Sequence, residues 1–284
     1  MILVHQMAKV GSRSWVEAIT SLLGTPPAHC HYITPACREE ITAAVLQARR
    51  PRIANLLMPR NMLRAGAAAW AGLETARANG ETVRAVCGMR EPVARSISLI
   101  MFMADFYGDT ESSLNPRTVP SAAAAVARLE WLWAQVLAEA EPDNSFDWLL
   151  WYFTRGYLSW FTAECETGLG CPLPAQKFQP AAGGQILDGR GTKILLYRME
   201  DMHPAAAGQA ALLAQATTFL GAPAHAFPEI NTGSTRRSAS VAAEIAKQFR
   251  LPTAMLERIY AAPAVRHFYA DDEIETFIRQ WAMT

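Results

Sequence analysis

Short apolar runs alternate along the chain with longer segments of helical periodicity. The runs Ile2–Gln6, Cys30–Thr34, Thr82–Gly88 and Lys193–Tyr197 have the length and composition of buried strands. Strands that are separated by helices favour a parallel sheet with helices on both of its faces. The pattern therefore predicts an α/β fold with a central parallel sheet.

Segments with helical spacing of apolar residues fill most of the remaining chain, and they dominate its C-terminal half. Thr34 stands where it can cap a helix that begins at Pro35. The stretch Gly108–Pro120 is predicted to form a loop. Helices are predicted over Gly11–Leu23, Pro35–Arg49, Asn61–Asn79, Glu91–Tyr107, Ser121–Ala140, Ser145–Cys165, Pro204–Leu220, Ser238–Gln248, Thr253–Ala261 and Asp271–Trp281.

The composition is that of a chain with a sizeable core. Hydrophobic residues make up 51% of the 284 residues and charged residues 18%. Lys plus Arg and Asp plus Glu both number 26. A formal net charge of zero gives no reason to expect nucleic acid or an anionic membrane as a partner held by bulk electrostatics.

The cysteines and the N-terminus predict a cytoplasmic protein. Five scattered cysteines without a C-x-x-C pair fit reduced thiols better than disulfides or zinc. Met1 leads directly into a strand-like run, so no signal peptide is expected. The most apolar stretch, Phe146–Phe161, is short and contains Asp147 and Arg155, so we expect no membrane span.

The first candidate site is the stretch MAKVGSRSW, Met7–Trp15, which lies between the first predicted strand and the first predicted helix. Free N–H groups and the dipole at a helix N-terminus favour anions, and Gly11 lets the backbone approach one closely. Lys9 adds a cation, and Ser12 and Ser14 add hydroxyls. The lysine precedes the glycine, however, so the spacing differs from the phosphate loop of ATPases, G-x-x-x-x-G-K-[ST].

The second candidate site follows the third predicted strand, in CGMREPVARSISLIMF, Cys87–Phe102. Arg90 leaves the strand, Pro92 starts a helix and Ser98 lies two turns inside it. A guanidinium binds a phosphate through two parallel hydrogen bonds. Two anion sites at the carboxyl ends of parallel strands predict a ligand with phosphates at two separated places.

The two motifs together, K-x-G-[ST]-x-[ST] and R-[DE]-P-x5-S, resemble those of sulfotransferases that use 3′-phosphoadenosine 5′-phosphosulfate (PAPS). The chain is most similar to the bacterial sulfotransferase-like group called capsular polysaccharide synthesis proteins. The resemblance covers nearly the whole chain and implies one domain, 1–284, with a P-loop-like sulfotransferase fold and a helical C-terminal half. Four further stretches match in order: AHCHYI, GYLSWFTAECETGLGC, ILLYRMEDM and HFYADDEIETFIRQW.

The resemblance implies roles for individual residues. Lys9, Gly11, Ser12, Arg13 and Ser14 would bind the 5′-phosphosulfate of PAPS, with Lys9 at the leaving oxygen. Arg13 stands where many relatives have serine or threonine, and Glu91 where many have aspartate. Residues that would bind the 3′-phosphate are Arg90 and Ser98. A basic segment that would close over the nucleotide is Asn231–Ser240, with Arg236 and Arg237.

A base is needed to take the proton of the acceptor hydroxyl, and histidine has a suitable pKa. We predict His31 as the first candidate and His29 as the second. Strand alternation would place both on one face, with Cys30 on the other. A structural role for either histidine remains open. No third ligand is placed by spacing for a metal, and the sulfuryl transfer needs none.

Glu164 is a rival candidate for the base, although acceptor binding or a structural role is favoured for it. Trp160 is a candidate to stack on the acceptor, which is expected to be a saccharide or another small molecule. The helical spacing of Trp160 and its neighbouring aromatic residues is more typical of a core. We expect Tyr197, Arg198, Glu200 and Asp201 mainly to fix the turn after their strand, and His267 to be structural.

Three classes of function remain open at this point. The first is a sulfotransferase that converts PAPS to 3′-phosphoadenosine 5′-phosphate (PAP) without a metal. The second is a P-loop phosphotransferase, which would need an ATPase-type loop and a carboxylate for Mg²⁺. The third is a non-catalytic nucleotide-binding protein of polysaccharide synthesis. Lys9, Arg90 and Ser98 favour the first.

Overall fold

A computed structural model describes residues 1–46, 57–107, 121–223, 227–228 and 239–283. A five-stranded sheet in the order β2-β1-β3-β5-β4 lies at its centre. The strands are β1 (Ile2–His5), β2 (Ala28–Cys30), β3 (Val83–Met89), β4 (Gln185–Gly189) and β5 (Thr192–Arg198). Strands β2, β1, β3 and β5 are parallel, and β4 pairs antiparallel with β5. The α/β class with a mostly parallel sheet is confirmed.

Helices surround the sheet within the described residues. The chain has a π-helical segment after α2, over Thr42–Leu46, and another between α6 and α7, over Phe161–Glu166. Single 3₁₀ turns cover Pro180–Ala182 and Met199–Met202. The helices are α1 (Ser12–Leu23), α2 (Pro35–Ile41), α3 (Leu57–Ala78), α4 (Pro92–Tyr107), α5 (Ala122–Leu137), α6 (Ser145–Trp160), α7 (Thr167–Leu169), α8 (Gln209–Leu220), α9 (Ala239–Gln248), α10 (Thr253–Tyr260), α11 (Pro263–Phe268) and α12 (Asp271–Trp281).

Each face of the sheet has its own buried core. Alternate residues of a strand point to opposite faces, so Leu3 joins one core and Val4 the other. The core on the Val4 face contains side chains of α1 and α8. The larger core, on the Leu3 face, contains side chains of α3 to α6 and of α9 to α12. Helices therefore cover both faces, as the strand and helix pattern predicts.

The second strand differs from its prediction. The apolar run predicts Cys30–Thr34, but β2 ends at Cys30. The N–H groups of Ile33 and Thr34 donate to the carboxylate of Glu164 instead of to a neighbouring strand. The Thr34 hydroxyl also donates to Glu164 rather than capping α2. Hydrogen bonds to the buried carboxylate of Glu164 thus take the place of strand pairing at Ile33 and Thr34.

Strand β4 and helix α11 are absent from the predicted elements. Strand β4 forms a hairpin with β5 through the two-residue turn Arg190–Gly191, and Gly191 has a positive φ of 70°. It lies at the sheet edge and is only partly buried, so it lacks the continuous apolar run that marks an inner strand. The parallel sheet therefore has an antiparallel edge strand that the sequence pattern does not predict.

Two predicted helices end in π-helical segments, and parts of two predicted segments lie outside the described residues. The helix predicted from Pro35 changes after Ile41 into the π-helical segment Thr42–Leu46. The helix predicted over Ser145–Cys165 changes at Trp160 into the π-helical segment that contains Glu164. The end of the helix predicted over Pro35–Arg49 and the whole loop Gly108–Pro120 lie outside the described residues. Among the helices that are described, none is both long enough and apolar enough to span a bilayer.

We expect Gly88→Ala to destabilise the protein by about 1–3 kcal/mol, because a Cβ at Gly88 would lie 2.4 Å from the ring of Tyr197. The matched control is Gly156→Ala in helix α6, where the nearest atom, Met7 Sδ, would be 3.7 Å away. Replacing a helical glycine with alanine there should raise stability by up to about 1 kcal/mol. Urea denaturation of both variants measures the free energies of unfolding, and equal effects would contradict the prediction.

Candidate anion-binding site at the strand ends

The two predicted anion motifs meet at the point where the order of the sheet reverses. From β1 the chain moves outward to β2 and then returns to β3 on the other side of β1. In open α/β sheets, ligands bind beyond the carboxyl ends of the strands at such a reversal. The guanidinium of Arg90, after β3, donates from Nη1 to the main-chain oxygen of Lys9, after β1, at 3.4 Å. Both motifs therefore line the same crevice.

The loop between β1 and α1 has an unusual backbone. Lys9 has a φ of 72° and Gly11 a φ of 89°. A positive φ is costly for lysine and typical of glycine. A Cβ at Gly11 would also lie 2.7 Å from Met202 Sδ, so there is no room for a side chain. The loop keeps this shape only because its surroundings hold it.

Tyr197 at the end of β5 is one of the groups that hold the loop. Its hydroxyl contacts both Val10 O and the side-chain amide of Gln6. A hydroxyl has one proton, so it donates either to Val10 O or to Gln6 Oε1 at any one time. Tyr197 thus holds the loop after β1, whereas the sequence pattern predicts a role in the turn after its own strand.

The start of α1 presents main-chain donors to the crevice. The first hydrogen bond within the helix runs from Trp15 N to Gly11 O. The N–H groups of Ser12, Arg13 and Ser14 precede this bond, and none of the side chains that the structure describes caps them. Ser12 and Ser14 are half-buried and Arg13 is exposed. Such a helix start binds anions through its N–H groups and dipole.

Lys9 faces α4 rather than bulk solvent. Its Nζ lies 4.6 Å from the centroid of the Phe102 ring. Ser98 is half-buried and lies four residues before Phe102, so both residues share one face of α4. That face is the one turned to the loop. Lys9 therefore contacts both other parts of the predicted site, Phe102 on the Ser98 face of α4 through its side chain and Arg90 through its main chain.

The N-terminus of α4 has its own carboxylate cap. Buried Glu91 accepts hydrogen bonds from Val93 N at 2.8 Å and Ala94 N at 2.6 Å, and from the Tyr260 hydroxyl. Burial raises the pKa of Glu91, although these hydrogen bonds oppose the shift. Its own N–H donates to Glu200 at 2.9 Å. An anion beside α4 would thus be bound by Arg90 and Ser98 and not by the helix end.

The two histidines lie together but away from Glu164. Val4 and His29 are register partners, so His29 lies on the α1 face of the sheet, and its ring is 5.0 Å from that of His31. Cys30 lies on the opposite face, where its Sγ is 3.4 Å from His5 Nδ1. The two rings are therefore neighbours, although β2 ends before His31, so the strand alternation that predicts their shared face does not reach His31. Burial and then the charge of Arg13 lower the pKa of His29, so Arg13 is close to this pair.

His31 is held as a neutral ring. Its Nδ1 donates to Gln6 O at 2.7 Å, which leaves Nε2 as the nitrogen that can accept a proton. Burial and then the neighbouring His29 lower the pKa of His31 to about 3, although the bond to Gln6 O opposes the shift. His31 has the correct nitrogen for a base, but it is a weak one.

Glu164 is a structural centre on the opposite face. Besides the N–H groups of Ile33 and Thr34 and the Thr34 hydroxyl, its carboxylate lies 3.1 Å from His5 Nε2. Burial alone would raise the pKa of Glu164, but His5 and these hydrogen bonds outweigh it and lower the pKa. Both oxygens are occupied, so these contacts favour the structural role of Glu164 over its alternatives as a base or acceptor ligand.

Trp160 is part of the core. Only 2% of it is exposed, its Nε1 donates to His31 O at 2.8 Å, and its ring packs 4.8 Å from that of His5. Stacking on a saccharide at this edge of the sheet is therefore not supported, and the core interpretation of the aromatic helix is confirmed. The indole instead ties α6 to the segment that contains the two histidines.

Other predicted residues have structural roles or lie outside the description. Arg198 binds Asp201 through two hydrogen bonds, and the Tyr269 hydroxyl donates to Glu200. These contacts fix the turn after β5, as predicted, and His267 contacts the Gln185 side chain. Arg236 and Arg237 lie outside the described residues. No three His, Cys, Asp or Glu residues of the described ranges are placed to bind a metal ion.

His5 and Gln6 are important residues that the sequence reasoning missed. Both end a buried strand, where their polar side chains contact Glu164 and Tyr197. The signal was available, because two consecutive polar residues at the end of an apolar run need buried partners. Their partners are more than 150 residues distant, and no spacing rule identifies them.

Comparison with known proteins adds nothing to this geometry. No protein-family profile, curated protein or solved structure matches the chain. The site must therefore be interpreted from its own residues.

We expect Glu164→Gln to lower the free energy of unfolding by about 2–4 kcal/mol, since an amide cannot accept all the bonds that the buried carboxylate accepts. The control is Glu166→Gln, an exposed residue of the same π-helical segment, with an expected effect within about 0.5 kcal/mol. Urea denaturation at pH 7 compares the two. Similar losses for both variants would show that Glu164 is not the structural centre.

We also expect the pH dependence of stability to reveal His31. Because its pKa is lowered from 6.5 to about 3, the folded protein disfavours the proton that the unfolded chain binds below about pH 6.5. The contribution of neutral His31 to the free energy of unfolding is complete above pH 6.5 and is lost as the pH falls toward 3. In His31→Gln, the free energy of unfolding should fall less between pH 6.5 and 4 than in wild type. His203→Gln, at an exposed histidine, is the control, and equal slopes in all three proteins would contradict the assignment.

Proposed function

We propose that this chain is a sulfotransferase that moves the sulfuryl group of PAPS to a hydroxyl of a small-molecule or saccharide acceptor. The observation that carries the proposal is the contact between Arg90 and the Lys9 main chain, which joins the two anion motifs at the reversal of the sheet. PAPS carries phosphates at two separated positions. Two neighbouring anion sites suit such a ligand better than the single row of phosphates in ATP.

The 5′-phosphosulfate would lie at the start of α1. The N–H groups of Ser12 to Ser14 and the ammonium of Lys9 are the donors there, and Gly11 allows the close approach of the backbone. The 3′-phosphate would lie between Arg90 and Ser98. Lys9 rests on the Phe102 ring, from which its flexible side chain reaches into the crevice.

In the proposed reaction, an acceptor oxygen forms a bond to sulfur as the bond from sulfur to the bridging phosphate oxygen breaks. The electron pair of that bond stays on the phosphate, so PAP leaves with additional negative charge. Preorganised cations and N–H donors stabilise charge that develops in this way. Lys9 and the start of α1 have this role in the proposal.

The proton of the acceptor hydroxyl is assigned to His31, with His29 as the second candidate. Only Nε2 of His31 can accept it, because Nδ1 donates to Gln6 O. Because its pKa is lowered, His31 would hold this proton only weakly. His31 would therefore be a relay for the proton and not its final acceptor.

Calorimetric titration with PAP, ATP and ADP tests the proposal. We expect PAP to bind with a micromolar dissociation constant and the other two nucleotides much more weakly. Lys9→Ala and Arg90→Ala should each weaken PAP binding about tenfold or more, because a charge-assisted contact is lost. The controls are Lys193→Ala and Arg84→Ala, which remove exposed cations at the opposite, amino ends of β5 and β3.

Binding of PAP that survives Lys9→Ala and Arg90→Ala would contradict the proposed site. Equal affinity for PAP and ATP would favour a P-loop phosphotransferase. No binding of any of the three nucleotides would remove the nucleotide from the proposal altogether.

A further inference from the structure

The described residues enclose a cavity of about 150 Å³ beside α6, on the opposite face of the sheet from the two histidines. Its walls come from α2, α6 and the π-helical segment after α6. It exists because one side of α6 and its continuation has small residues, Gly156, Ser159 and Ala163. Engineered cavities of this volume accommodate one benzene ring.

The lining has aromatic walls and no unpaired charge. The rings of Tyr32, Tyr152 and Trp160 contribute to the walls. Arg155, at the rim, pairs with Glu40 at 2.8 Å and lies 4.9 Å from the centroid of the Tyr152 ring. The Glu164 carboxylate is occupied by its own partners on the protein. A charged ligand would find no free counter-charge among these described groups, so the lining suits a neutral one.

Apart from the charged groups described above, the lining has few polar side chains. The uncharged ones are the Tyr32 and Tyr152 hydroxyls, the Cys37 thiol and, at the exposed rim, the Ser159 hydroxyl. Burial raises the pKa of Cys37 to about 11, so the thiol keeps its proton at neutral pH. This set can satisfy one hydroxyl of a ligand. A sugar ring, with a hydroxyl on nearly every carbon, would bury several without partners.

We propose that this cavity binds a single neutral aromatic ring that carries one hydroxyl, which is the chemical class of phenol. The ring fills the space beside Gly156 and Ala163 and contacts the edges and faces of the surrounding rings. The hydroxyl bonds to the polar atoms around Cys37 and Tyr152. The site is separate from the nucleotide crevice, and its occupation does not depend on the proposed function.

The test is ligand-observed NMR, with calorimetric titration, of the full-length protein with phenol. We expect saturable binding with a dissociation constant of about 1 mM or tighter. Cyclohexanol has a similar size but no flat ring, so its dissociation constant should be higher than that of phenol by about threefold or more. Ala163→Leu fills the cavity and should abolish phenol binding. The control is Thr162→Leu, the same substitution at the adjacent exposed residue, which should leave binding unchanged.

Ser159→Leu, on the same side of α6, is a second filling variant in case Ala163→Leu does not fold, as judged by circular dichroism. The proposal is overturned if phenol does not saturate wild type below about 10 mM, a range of roughly tenfold around the expected value. It is also overturned if both filling variants bind phenol like wild type, or if cyclohexanol binds equally well. PAP titration of the same samples reports on the nucleotide crevice, so either site can fail alone.

Discussion

The buried carboxylate of Glu164 is the interaction on which this end of the molecule depends. Placing a charged group in a core is unfavourable unless its hydrogen-bonding capacity is filled. Here the partners come from two parts of the chain. His5 lies at the end of β1, and the main chain of Ile33 and the main chain and hydroxyl of Thr34 lie before α2. The carboxylate ends β2, orients the first residues of α2 and fixes the point where α6 becomes a π-helix. The loop after β1 depends on this arrangement, because His5, which contacts Glu164, is followed directly by Gln6, which contacts Tyr197.

The loop after β1 is also held by residues of the neighbouring strands. Tyr197 reaches from β5 beneath β3 to the loop after β1, and it can do so only because Gly88 on β3 has no side chain in its way. Arg90 then closes the gap above by donating to Lys9 O. Tyr197 of β5 and Arg90 after β3 thus both bind the loop after β1. A loop held from two neighbouring strands keeps a backbone shape that its own sequence would not prefer.

The sequence predicts those parts of this structure that are determined by neighbouring residues. Strands β1, β3 and β5 are mostly apolar runs, and β3 and β5 are buried on both faces except at Arg84 and Lys193 near their starts. Strand β4 is half-exposed and has no such run, so it is missed. Thr34 has the local pattern of a helix cap, but Glu164, 130 residues away, takes its hydroxyl. The convergence of the Lys9 loop with Arg90 follows from the strand order, whereas the partners of His5, Gln6 and Glu164 depend on tertiary packing that no spacing rule contains.

The left-handed backbone at Lys9 has a consequence for the balance between stability and activity. A lysine in this conformation is less stable than a glycine would be, by about 1 kcal/mol. Yet the chain has lysine at this position and glycine two residues later. Folding alone would favour glycine at both places, so the ammonium is retained against the preference of the backbone. Position 9 is therefore locally frustrated, and a more stable fold with glycine there would lack the cation that the proposed site uses.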